Sequence, residues 1–173
     1  MPPLFTIGYE GSTLERVLTA VRDAGVRMLV DVRAVAASRK PGFSKRQLAA
    51  SLDETGISYV HLQGLGTPKA GRLAVRAGHP DVMRTIFAEH MRSDVAQFDL
   101  ANAVALASER PICLLCFERD HAICHRSIVA DLVIARTGQA VRHLVPMSSA
   151  GVNAGRQPPP IPSERASNLP REE

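Results

Sequence analysis

The feature that most constrains this chain is an alternation of five short apolar runs with longer stretches of helical spacing. The runs are LFTIGY (4–9), RMLVDVR (27–33), ISYVHL (57–62), PICLLCFE (111–118) and AVRHLV (140–145). Each is too short for a buried helix and rich in the aliphatic and β-branched residues of strands. Between the first two, Ser12 or Thr13 supplies a helix cap, Leu14, Val17, Leu18 and Val21 an apolar stripe, and Gly25 a stop. The same signals predict a helix begun at Ser44 and ended at Gly56, and another over 124–138 with Ile128, Leu132 and Ala135 inward and Gly138 closing it. Residues 63–80 lack a clean period and read as an excursion over the top of the sheet, whereas 81–108 read as a long helical tract broken near Ser93 and Asp94.

Strands that alternate with helices need crossover connections, which place helices on both faces of a mostly parallel sheet. The expectation is a single three-layer α/β/α domain over residues 1–145 with a mostly parallel five-stranded sheet, and a flexible Pro/Ser-rich tail over 146–173. That tail is too poor in apolar residues to offset its ordering entropy. No run reaches the ~18–20 apolar residues of a membrane span, and MPPLFTIGYEG lacks the basic and apolar regions of a signal peptide. Three cysteines are too few and odd in number for a disulfide framework, so a soluble, cytoplasmic chain without a membrane partner is expected. A net charge of +4, from 21 basic and 17 acidic residues, is too mild to define a nucleic-acid binder by itself.

Ligands of open parallel sheets collect beyond the carboxyl ends of the strands. The polar residues expected there are Gly8 and Tyr9 after the first run, Asp31 and Arg33 in the second, His61 in the third, and Cys116 and Glu118 in the fourth. The segment LLCFERDHAICHRS (114–127) adds Cys124, His125, Arg126 and Ser127 at the start of a helix, and SRKPGFSKR (38–46) adds Arg39 among four cations before another. Asp31, in a strand buried on both faces, needs a donor or a cation, and its alternative use is to clamp strand ends together. His79 and His90 read as surface positions, and Cys113 as core, because strand residues three apart face opposite sides.

The 114–127 segment admits four uses. Zinc would draw on Cys116, Cys124 and His125, with His121 or His61 as fourth ligand, although neighbours in sequence such as 124 and 125 seldom chelate one ion. Thiol catalysis would use Cys116 or Cys124, although the spacing to Arg126 is longer or shorter, respectively, than a phosphatase-type loop. An anion pocket would use the helix start with Arg33, Arg39, His125, Arg126 and Ser127, while Asp31, Glu118 or His61 handles protons. The fourth use is a structural turn. The leading expectation is a pocket for a phosphate-bearing small molecule or nucleic-acid fragment, and a nucleic-acid-binding module without catalysis is its main rival. The sequence requires no cofactor and leaves zinc open.

TIGYEGSTLERVL, LVDVRAVAASRKPGFSK, GISYVHLQGLGTPK and LLCFERDHAICHRSIVADL, in that order and spacing over residues 4–144, resemble the bacterial family known as domain of unknown function 488. The resemblance implies no activity. It directs attention to Gly8, Tyr9, Asp31, Arg33, Arg39, Pro41, Phe43, His61, Leu65, Gly66, Cys116, Glu118, Cys124, His125 and Arg126. One departure is that His121 and Ile123 stand where that family leads one to expect a proline and a histidine.

Overall fold

The computed structural model describes residues 2–146, so the tail expected over 146–173 lies, past Pro146, outside the described residues. Each of the five runs forms a strand: β1 (Leu4–Gly8), β2 (Met28–Asp31), β3 (Ser58–His61), β4 (Ile112–Cys116) and β5 (Val141–Leu144). The strands lie in the order β3-β2-β4-β1-β5 with every pair parallel. The helices are α1 (Leu14–Asp23), α2 (Lys45–Asp53), α3 (Lys69–Arg76), α4 (Pro80–His90), α5 (Asp94–Glu109) and α6 (His125–Thr137). None of them is long and apolar enough to cross a membrane.

Two apolar cores sandwich the sheet, as strand alternation requires. On one face Val17 and Val21 of α1 and Leu48 and Leu52 of α2 pack on Phe5, Ile7, Leu29, Cys113 and Leu115. On the other, Met83 and Phe87 of α4, Leu100 of α5 and Val129 and Val133 of α6 pack on Leu4, Val30, Ile112, Leu114 and Cys116. Cys113 and Cys116 therefore belong to different cores.

Three local expectations need correction. The 63–80 excursion carries a 3-10 turn (Gln63–Leu65) and α3, whose Lys69, Arg72 and Arg76 obscure its period in the sequence. On α6 the buried positions are Val129, Ala130 and Val133, while Ala135 is exposed and Ile128 and Leu132 are half-buried. The apolar stripe fits either of two adjacent faces, and burial of His125 and Arg126 selects the one that continues into Val129 and Val133. His90, read as a surface residue, is half-buried with Nε2 2.8 Å from the Gly64 carbonyl oxygen. The break near Ser93 does occur, because Ser93 caps α5 by accepting from the Ala96 N–H.

Candidate functional site at the carboxyl edge of the sheet

β1 and β4 are neighbours, yet the chain leaves β1 towards β2 on one side and β4 towards β5 on the other. Crevices at such a reversal are the usual ligand sites of parallel sheets. Here the two loops meet: Glu10 N–H donates to the Phe117 carbonyl at 2.8 Å, and Arg119 N–H to the Glu10 carboxylate at 3.0 Å. Gly8 permits the approach, since a Cβ there would lie 1.8 Å from the Glu118 carbonyl oxygen.

The expected site residues fall into two groups on opposite faces of the sheet. Asp31 and Arg33, with Tyr9, lie on the α1/α2 side. Arg33 donates through Nε (2.8 Å) and an NH2 nitrogen (2.6 Å) to the two carboxylate oxygens of Asp31. Asp31 also accepts the Arg33 N–H at 3.1 Å and the Tyr59 hydroxyl at 2.6 Å. The remaining Arg33 nitrogen donates to the Tyr9 hydroxyl and the Phe43 carbonyl, both at 2.9 Å, and the Tyr9 ring stacks on Phe43. Burial opposes the Arg33 charge, but the Asp31 carboxylate outweighs it and holds the guanidinium protonated. Both members are buried and their polar atoms are occupied, so this pair clamps strand ends and faces no open anion.

Cys116, Glu118, Cys124 and His125 gather on the α4/α5/α6 side. Cys116 ends β4, Cys124 is the N-cap of α6 in an extended conformation, and His125 is the first helical residue. The change from extended to helical backbone between 124 and 125 turns both side chains to the same point. The Cys116 and Cys124 sulfurs each lie 3.1 Å from one Glu118 carboxylate oxygen, and 3.7 and 3.9 Å from His125 Nδ1. Across the ring, Nε2 is 2.9 Å from the Val32 carbonyl oxygen, and the edge of Phe87 packs against the imidazole. Burial raises the Cys116 thiol and the Glu118 carboxyl above their ordinary values. Burial would raise Cys124 as well, but hydrogen bonds with Cys116 and His125 and the nearby Arg126 charge bring it below the usual thiol range.

Arg126 is buried beneath this loop and donates to the carbonyls of Glu118 and, at 3.0 Å, Arg119, with Nε 3.4 Å from Thr6 Oγ1. Ser127 donates to the His121 carbonyl. Of the three arginines and the serine expected around one anion, Arg33, Arg126 and Ser127 are thus directed at protein acceptors in separate places. His61 Nε2 is held 2.8 Å from the Arg33 carbonyl, and Arg39 is exposed on the loop before α2.

A groove of about 580 Å³, open to solvent, runs along the ends of β2 and β3, lined by Ala34–Ala37, Ser44, Lys45, Arg46, His61 and Gln63. Of the residues expected at the site His61 lines it, as do Lys45 and Arg46 from the cation cluster at 38–46. Sequence reasoning missed Tyr59 and Gln63. The period of two places Tyr59 on the same side of its strand as His61, but nothing local couples it to Asp31.

Fold and edge together define the class: an α/β domain on a wholly parallel sheet whose polar side chains collect at the strand carboxyl ends. Within that class the chain belongs to the family described as domain of unknown function DUF488, whose model matches residues 13–133. That span begins after β1 and ends within α6. No match was found among curated proteins or among solved structures.

Proposed function

We propose that the chain binds a phosphate-bearing small molecule in the groove at the ends of β2 and β3. The observation that carries this reading is the charge at the start of α2: Lys45 and Arg46 open the helix, and its first turn holds no acidic residue. Cations at that end oppose the helix dipole, a cost of roughly 0.3–1 kcal/mol each that a bound anion reverses. Lys45 N–H is given to Ala36 at 2.9 Å, and the next N–H groups, of Arg46 and Gln47, have no intrahelical acceptor by the geometry of a helix start. Ala34–Ala37 and Gln63 supply an apolar wall with one amide for the non-phosphate part of the ligand. His61 is the candidate for proton transfer, whereas Asp31 is enclosed by Arg33 and Tyr59.

The test is a thermal-shift screen of the full chain against nucleotides and sugar phosphates. A ligand at 100 times its Kd should add about 2.7 kcal/mol of apparent stability. The gain should vanish in the Lys45→Ala/Arg46→Ala double variant and persist in Arg119→Ala. A flat screen, or a shift unchanged in the double variant, refutes the groove. Steeply salt-dependent binding of generic DNA or RNA that ignores the double variant supports instead the non-catalytic nucleic-acid module.

A further inference from the structure

We infer that Cys116, Glu118, Cys124 and His125 form a four-ligand zinc(II) site that ties the end of β4 to the start of α6. The site shares no lining residue with the groove, so the two readings stand or fall separately.

Zinc held by thiolate sulfur at ~2.3 Å and by imidazole nitrogen and carboxylate oxygen at ~2.0–2.1 Å has tetrahedral edges of about 3.3–3.8 Å. The donor atoms of these four residues all lie within 4.8 Å of one another, and the sulfur separations of 3.1, 3.1, 3.7 and 3.9 Å bracket those edges. Two thiols and an imidazole are a soft set that selects zinc over magnesium or calcium.

The surroundings are those of a metal ligand set. The Val32 carbonyl 2.9 Å from His125 Nε2 fixes the proton on that nitrogen, which leaves the lone pair of Nδ1 pointing at the two sulfurs. Arg126 holds the carbonyls of Glu118 and Arg119, and Gly8 admits the same loop against β1, so the Glu118 carboxylate is positioned from two sides. Cys116, Cys124 and His125 are each at most 5% exposed, and the Phe87 ring closes the interior wall.

The fourth ligand is Glu118 and neither histidine considered from sequence. His121 stacks on His143 with ring centroids 3.6 Å apart, and His61 is tied to the Arg33 carbonyl. Loading releases the thiol protons to solvent as two sulfur–metal bonds form, so affinity rises with pH. Four protein donors fill the coordination sphere, which makes the ion a brace across the 117–123 loop.

The experiment uses the full chain purified without chelator. Metal analysis should find one zinc per chain. Competition against a chromophoric chelator should show zinc affinity lowered at least about 100-fold in Cys116→Ser, Cys124→Ser and His125→Gln, more than is typical for losing a group that only supports a ligand. Because a core cysteine variant can misfold, two further measurements use chains with both thiols intact. Cobalt(II) added to the wild type should give intense thiolate-to-metal absorption, retained but shifted in Glu118→Gln. Zinc should protect Cys116 and Cys124 from alkylation by iodoacetamide in mild denaturant while leaving Cys113 unchanged. Absence of both copurified and titratable zinc, or alkylation of the pair indifferent to zinc, overturns the site.

Discussion

At the scale of single residues, the strongest constraint is the buried Asp31–Arg33 pair. Removing one charge from such a pair leaves the other desolvated, which costs about 3–5 kcal/mol, far more than the net worth of the intact pair. Asp31→Asn should therefore lower the urea-unfolding free energy by about that amount. A loss below about 1 kcal/mol would mean that Arg33 regains water or another acceptor. His143 sets a second expectation. Its ring stacks on His121 and its Nδ1 lies 2.7 Å from Thr6 Oγ1. Burial, then His121 and Arg126, hold it below its ordinary value of 6.5. The unfolded chain then takes up the proton first, so this residue's contribution is present above pH 6.5 and is lost as pH falls from there through its lower folded-state value. Melting temperatures between pH 7.5 and 5.5 should fall less in His143→Gln than in the wild type, and equal falls would refute the assignment.

At the scale of elements, the β1 end, the β4 end and the start of α6 act as one joint. Gly8 pairs in register with Cys116, and its missing Cβ makes room for the Glu118 carbonyl that Arg126 also grips. Gly8→Ala forces backbone against backbone, for which about 1–3 kcal/mol is the ordinary penalty of overpacking. The variant should unfold at lower urea and be cleaved by protease in the 117–123 loop, while cleavage confined to the chain termini would show the clash absorbed elsewhere. The elements themselves were legible. Strand runs, the break near Ser93 and the stops at Gly25, Gly56 and Gly138 are local signals, and each of these glycines has the positive φ its place requires. Helix α3 was not legible, because three cations in eight residues mask its short buried face at Gly71.

At the scale of the whole molecule, the two cores share one sheet, so neither face can lose its packing while the strands between them persist. Heat or denaturant should unfold the described domain in one transition, with Tyr9 and Tyr59 fluorescence on the α1/α2 side tracking far-UV circular dichroism, which is dominated by the other helices. Separate midpoints would show that the α4–α6 layer comes away first. The same view explains why the expected pocket divides. Asp31 and Cys116 both end strands, but they lie on strands whose alternation turns them to opposite faces, and the groove opens at a third place beside α2.

By itself the sequence determined the α/β class, the five strands, the helix caps and the collection of polar residues at one edge of the sheet. These depend on periodicity and on chemistry within a few residues. Only the tertiary structure decided the strand order, the face on which each strand-end side chain lies and the acceptors that occupy Arg33 and Arg126. The physical reason is that pairing between β1, β2 and β4, and the meeting of Cys116, Glu118 and Cys124 with a histidine oriented by Val32, join segments far apart in the chain through contacts that leave no local pattern.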